Sequence, residues 1–340
     1  MRIAVVGAGV VGLSAALACA DRGHRVRVHE RFGPGHTFGS SHGRSRIVRR
    51  AYPDARYTAA MGEAFPLWRD LEARTSQTLL RETGLVYFGD ADSPDLRRMV
   101  EGLAALDVPH DVLEPEAIPR ISPLRLNRGE VGVWTPEAGW VDANQTCRLL
   151  RELCVDQGVE FRWHDKADRT VPGDCVLVAA GSWVGDWAPV PAFATLQTYG
   201  YVRGQLAGPV WIQDSPALEY GFPTEPGADA FKIGIHRHGP TIRPDDPRPG
   251  PDPVDLEAVR TVAASRFGVQ NPTIAEAGTC VYTNLANDEF AFGAWERGFY
   301  ASACSGHGFK FGPWSGRTLA DLAEGRRRVE DLPVGWGHPR

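Results

Sequence analysis

The first thirty residues constrain the fold more than any other stretch of this chain. From Arg2 they read RIAVVGAGVVGLSAALACADRGHRVRVHE: an apolar strand, a glycine turn, an alanine-rich helix and a second strand, Arg25 to His29, that ends at Glu30. Gly7, Gly9 and Gly12 form G-x-G-x-x-G in that setting, and each glycine has a separate physical task. Gly7 permits a tight turn, Gly9 lets backbone approach a pyrophosphate, and Gly12 lets the helix pack close to the sheet. The helix N–H groups then face the phosphates. A carboxylate at Glu30 accepts hydrogen bonds from an adenosine ribose and repels the additional phosphate of NADP.

A doubly covered parallel sheet needs more strands than these two. Continuous apolar runs bounded by glycine supply them at Cys175 to Ala180 and at Gly298 to Cys304. After the second run comes a helix, Trp314 to Arg326, with Leu319, Leu322 and Ala323 at helical spacing. The nucleotide sheet is therefore assembled from separated parts of the chain. Between them, residues 84–90, 129–134, 199–206, 217–223 and 229–236 read as antiparallel strands. They predict a second domain on a mixed or antiparallel sheet, giving an α/β two-domain chain of Rossmann type. The stretch HGPTIRPDDPRPGPDP holds six prolines and reads as a stiff exposed loop before a helix over Pro253 to Phe267.

Composition removes several function classes. Acidic residues exceed basic ones, 42 to 37, which argues against a general nucleic-acid binder. No apolar run is long enough to span a bilayer, so no membrane partner is expected, and the first residues, entering a strand and a glycine turn, lead to the expectation of no secretion signal. A cytoplasmic address is the expectation. The six cysteines, Cys19, Cys147, Cys154, Cys175, Cys280 and Cys304, show no C-x-x-C pair or histidine spacing of a zinc site. No metal and no disulfide is expected, and each cysteine reads first as core filler.

Three constellations carry chemistry. In SSHGRSRIVRRAY, His42, Arg46 and Arg49 stand at i, i+4 and i+7, which predicts a shared helical face. That face is either a solvated basic turn or an anion site, and arginine's planar fork suits a carboxylate. In CSGHGFKFGPWSG a strand ends in glycines just before a helix, exposing backbone N–H groups where negative charge is favoured. In FKIGIH, strand alternation sends Lys232, Gly234 and His236 to one face and Phe231, Ile233 and Ile235 to the other.

At these residues the chain resembles the flavin-dependent amine oxidases of the D-amino-acid-oxidase superfamily, and within it monomeric sarcosine oxidase and N-methyltryptophan oxidase. The resemblance covers nearly the whole length and rests on GAGVVG with Glu30, GSSHGRSRIVRRAY, YGFP, FKIGIH, GTCVYT and SGHGFKFG. It implies an FAD-binding domain from 1–83, 143–197 and 275–340, and a substrate domain from 84–142 and 198–274. The cofactor implied is FAD, joined through the sulfur of Cys280 to the flavin 8-methyl carbon. Gly7, Gly9, Gly12, Glu30, Ser305, Gly306, Gly308, Phe309 and Lys310 would complete its site. Arg49 and Lys310 match the pair that holds the substrate carboxylate, with Tyr220 nearby. Lys232 matches the lysine that activates oxygen, and Arg46, His42 and His307 match residues lining the flavin. The implied reaction is oxidation of a secondary amino acid, N-alkyl or cyclic, with O2 reduced to hydrogen peroxide, by a monomer whose partners are that small molecule and O2.

The chain departs from this pattern in two places. Residues 160–175 compress a longer strand excursion, and Gly200 stands where the family carries a larger polar or basic residue. Pocket walls decide substrate, so substrate identity transfers least. An NAD-dependent dehydrogenase would explain the first thirty residues but not Cys280 or the glycine-histidine-lysine loop. The remaining alternatives are an oxidase or dehydrogenase of a cyclic or modified amino acid in a biosynthetic pathway, and a non-catalytic flavin-binding protein.

Overall fold

The predicted nucleotide sheet forms around its first strand. In the computed structural model, which describes residues 1–236, 239–286 and 288–337, Arg2–Val6 pairs in parallel with Arg25–His29 and with Cys175–Val178. Gly298–Ser302 follows in parallel beside Cys175–Val178, and Ala291–Trp295 closes that edge antiparallel. The compressed stretch after Glu160 still contributes Glu160–Arg162 at the opposite edge, parallel to Arg25–His29. Helix Val10–Asp21 lies on this sheet and meets helix Gly312–Ala323, which starts and stops a little earlier than its periodicity suggests. The two helices approach so closely that a Cβ on Gly316 would sit 2.4 Å from the Ser14 Cβ. Small residues make that contact possible.

A nine-stranded sheet forms the second layer. Phe193–Arg203 and Ile274–Asn284 pair antiparallel over most of their length, Ala230–Ile235 lies on the other side of Phe193–Arg203, and Glu219–Gly221 follows. The remaining strands are Val210–Gln213, Leu85–Asp90, Glu130–Thr135 and two short edges, Asp111–Leu113 and Thr241–Ile242. The expected antiparallel reading of 84–90 needs correction: Leu85–Asp90 runs antiparallel to Glu130–Thr135 but parallel to Val210–Gln213, so the sheet is mixed. Phe231, Ile233 and Ile235 pack with Val259 and Val262 of helix Pro253–Phe267. That helix has the predicted bounds, because Asp252 caps its first turn, Pro253 fits there, and Gly268 ends it at φ 66°.

The segment around Arg46 is not a helix. Arg46–Arg49 is a strand antiparallel to Ala138–Val141, which also pairs with Leu80–Arg81, and His42 lies in the loop before it. The β-branched Ile47 and Val48 favour the pleat, and a distant strand supplies the ladder that the basic spacing cannot reveal.

The proline-rich stretch is exposed but tied down. Thr241–Ile242 pairs with Ala194 and Thr195. Asp245 Oδ1 accepts from Arg31 Nη1 at 2.6 Å and from Trp183 Nε1 at 2.7 Å, and Arg248 donates to the carbonyls of Thr37 and Phe38. Among the described residues no helix is long and apolar enough to cross a membrane.

Candidate active site

Two cavities, of about 620 and 430 Å³, meet where Ser40, Cys304, Gly308 and Phe309 line both. The larger opens at the C-terminal ends of the parallel strands, as open α/β sheets require. Its floor is the glycine turn. Gly7 has φ +101°, and a Cβ there would lie 2.4 Å from the Ala179 carbonyl oxygen. A Cβ on Gly12 would lie 1.9 Å from the Gly7 oxygen, so helix and turn touch through backbone alone. Gly9 caps the helix without a side chain, and Ser41 Oγ accepts from Val10 N at 3.1 Å instead. That serine was legible only as part of SSHG.

Glu30 is buried at the rim and accepts from Ala8 N at 2.7 Å and Phe32 N at 2.9 Å. Burial alone would raise its pKa, but hydrogen bonds from His36 and those two amides outweigh burial and hold it below the usual glutamate value. The group is thus a fixed carboxylate facing a cavity lined by Gly7, Gly9 and Trp183. Backbone clearance, a helix N-terminus and a ribose-height carboxylate fit a dinucleotide.

The smaller cavity is a basic chamber. Arg46, Arg49, Lys232 and Lys310 line it, and among the described residues none of the four makes an ion pair. Four acids stand at its wall, Asp54, Asp95, Asp288 and Glu289, of which Asp54 and Glu289 are bonded to Arg56 and Asp95 to Arg98. Arg46 is held by the carbonyls of Ser45 at 2.9 Å, Ser40 at 3.3 Å and His42, and its Nη2 is 3.5 Å from Cys280 Sγ. Arg49 is 7 % exposed, and its Nη1 has no partner among the described residues. Lys310 Nζ donates to the His307 carbonyl at 2.8 Å.

Burial, with Arg49 adding repulsion, pushes the Lys310 ammonium well below its ordinary value. The same desolvation, with Arg46 adding to it, brings Lys232 down to about 7. Its Nζ sits 4.4 Å from the Tyr199 ring centroid and 3.4 Å from the Ser45 carbonyl. His307 is held well below its usual value by burial and then by Lys310, so its imidazole is neutral. A chamber with this surplus of positive charge favours an anion.

Most of the predicted site residues converge here. Lys232, His236, Tyr220, Cys280, Ser305, Gly306, His307, Gly308 and Phe309 line the chamber, so the strand alternation read from FKIGIH is correct. Gly306 has φ +73°, and a Cβ there would strike Tyr282 at 2.3 Å, which explains a glycine beside Ser305. One expectation does not hold in geometry. His42 lines neither cavity: its ring is buried, Nε2 lacks a partner among the described residues, and burial followed by Arg46 pushes its pKa down to about 4. At Gly200 the missing side chain would face Val259 and Ile274 of the apolar layer, not the chamber. Residues the sequence reading passed over include Tyr52 and Cys304, both in the chamber wall. Tyr52 ends the quoted basic motif, and its adjacency to Arg49 was the available signal.

Comparisons with known proteins agree with this geometry. Monomeric sarcosine oxidase of Streptomyces avermitilis is 29% identical over 99% of this chain and 97% of its own. Human peroxisomal sarcosine oxidase is 28% identical over 94% of this chain and 91% of its own. N-methyl-L-tryptophan oxidase of Citrobacter koseri is 26% identical over 96% of each. Among solved structures, NikD, an unusual amino acid oxidase essential for nikkomycin biosynthesis, superposes with TM-score 0.85 at 24% identity over 99% of both chains. L-proline dehydrogenase from P. horikoshii superposes with TM-score 0.84 at 21% identity, covering 99% of this chain and 96% of that one. The family model for FAD dependent oxidoreductases, DAO, matches residues 2–322, and with the dinucleotide turn, fixed carboxylate and basic chamber in place, this chain belongs to that family of enzymes.

Proposed function

We propose that the protein is an FAD-dependent oxidase of a secondary amino acid, N-alkyl or cyclic, working as a monomer and releasing hydrogen peroxide. The observation that carries this reading is the basic chamber: four buried basic side chains, without carboxylate partners among the described residues, beside a dinucleotide cavity. FAD, when bound, would accept the hydride equivalent from the carbon beside nitrogen and give two electrons to O2. In this reading residues 1–83, 143–197 and 275–340 serve the cofactor, and 84–142 and 198–274 the substrate.

The side chains would then act as follows. Arg49 offers its unpartnered Nη1, and Lys310 its ammonium, to the substrate carboxylate. Tyr220, Tyr199 and Phe222 present aromatic surface to the rest of the substrate. Surrounding cations lower the proton affinity of the substrate amine, as they do that of His307, so the lone pair is exposed for oxidation. Arg46, Lys310 and the glycine loop before helix Gly312–Ala323 favour negative charge on the neighbouring ring system. Lys232 holds a proton beside the site where oxygen is reduced. Cys280, in the strand Ile274–Asn284, turns its sulfur into the chamber and would form the covalent link to the flavin.

The test is the absorption spectrum of the purified protein before and after denaturation, followed by a peroxide assay across N-alkyl and cyclic amino acids. A yellow protein that forms peroxide with such substrates is expected. A colourless protein, or a yellow one that forms none with any of them, overturns the reading.

A further inference from the structure

Arg49 poses a physical problem. A guanidinium this buried is ordinarily paired with a carboxylate, because desolvation of an unpaired cation costs several kcal/mol. Here no ion pair reaches it among the described residues, and Nη1 is bare. Aromatic rings face it. The Arg49 Cζ lies 3.7 Å above the centroid of the Tyr52 ring, with Tyr87 further off at 5.5 Å. Lys310 Nζ is 5.6 Å from the same Tyr52 ring. One buried ring therefore serves both cations assigned to the substrate carboxylate.

The electrostatic consequence differs from that of a carboxylate. A ring quadrupole attracts a cation through its face yet carries no net charge. It stabilises Arg49 in place without neutralising it, so the fork stays available to an incoming anion. Planar stacking also fixes the guanidinium's orientation, as bidentate recognition requires. The Tyr52 hydroxyl meets His307 Nδ1 at 3.2 Å, which ties the same ring to the loop that carries Lys310. Tyr52 cannot drift, since it packs against Tyr57 at 5.2 Å and Phe311 at 5.9 Å. Burial, opposed by Arg49, pushes its phenol up to about 12, so it remains neutral.

We infer that Tyr52 is a positioning residue for carboxylate recognition: its ring face holds Arg49 as an uncompensated, oriented guanidinium. This rests on the reading of the chamber as an amino-acid site.

The experiment uses the flavin-loaded protein and furan-2-carboxylate, a carboxylate with no amine to oxidise, titrated by its perturbation of the visible flavin spectrum. Tyr52→Phe keeps the face and should bind within about threefold of the native protein, whereas Tyr52→Leu should bind on the order of tenfold more weakly. In steady state, Tyr52→Leu should raise KM for an N-methyl amino acid by a similar factor with a smaller change in kcat, a split that general loosening of the core would not produce. Should Tyr52→Leu fail to fold, Tyr52→Met carries the same prediction, because its flexible side chain fills irregular gaps. Unchanged affinity in the leucine or methionine variant, or equal weakening in the phenylalanine variant, overturns the inference. A native protein that binds no carboxylate at all instead sinks the reading of the chamber, and the role of Tyr52 with it.

Discussion

Replacing Lys232 by methionine should make the protein more stable at neutral pH, and the gain should fade as pH rises. Burial brings this lysine from an ordinary value of 10.5 to about 7. Between those two values the unfolded chain holds the proton and the folded chain does not. The native protein therefore gains stability as pH rises through that window, by about 1.36 kcal/mol for each pH unit. At pH 7 nearly the whole difference is still unrecovered, which puts the protonation cost of keeping Lys232 in the fold on the order of 4 kcal/mol. Methionine has similar length, carries no proton, and should recover most of that, less the weak bond to the Ser45 carbonyl at 3.4 Å. Urea unfolding of both proteins at 25 °C and at pH 7, 8 and 9 measures the gap directly. It should shrink by about 1.4 kcal/mol per pH unit and approach zero near pH 10. A gap that is constant across this range, or a methionine variant less stable at pH 7, refutes the argument from burial. The same substitution tests function separately: reoxidation by O2 should slow far more than reduction by substrate. In the native protein reoxidation should fall as pH rises through about 7, because the ammonium is then lost.

Cys280→Ser should release all flavin colour on acid precipitation while the native protein keeps it in the pellet; equal release from both removes the tether. Arg49→Ala should weaken binding of a carboxylate ligand by roughly 10- to 100-fold, the range for a charged hydrogen bond of about 1.5–3 kcal/mol, and unchanged affinity takes Arg49 out of the site. Gly12→Ala should destabilise the protein by about 1–3 kcal/mol and lower its flavin content, because the new methyl would lie 1.9 Å from the rigid Gly7 carbonyl. Full flavin loading and an unshifted melting temperature would contradict that packing argument.

The legible parts of this protein were those decided over a few residues. The glycine turn with its flanking strands and Glu30 formed as read, since each glycine answers a contact within its own unit. Helix Pro253–Phe267 was bounded correctly by its own cap, proline and terminal glycine. The alternation in FKIGIH placed Lys232 toward the chamber and Ile233 toward the core. Where pairing partners lie far along the chain, local pattern misled. His42, Arg46 and Arg49 had helical spacing, but the ladder with Ala138–Val141 made Arg46–Arg49 a strand. Leu85–Asp90 acquired a parallel neighbour that no hairpin signal announces.

By itself, then, the chain's order of residues determined a dinucleotide turn, a buried carboxylate beside it, and the supply of cations and a cysteine suited to a flavin amine oxidase. Only the tertiary structure decided that Arg49, Lys232, Cys280 and Lys310, drawn from four distant segments, share one chamber, that His42 stays outside it, and that an aromatic ring rather than an acid supports Arg49. The physical reason is range. Turns and caps depend on neighbours within a few residues, whereas the desolvation that moves Lys232 to about 7 exists only when several sheets and helices close around it together.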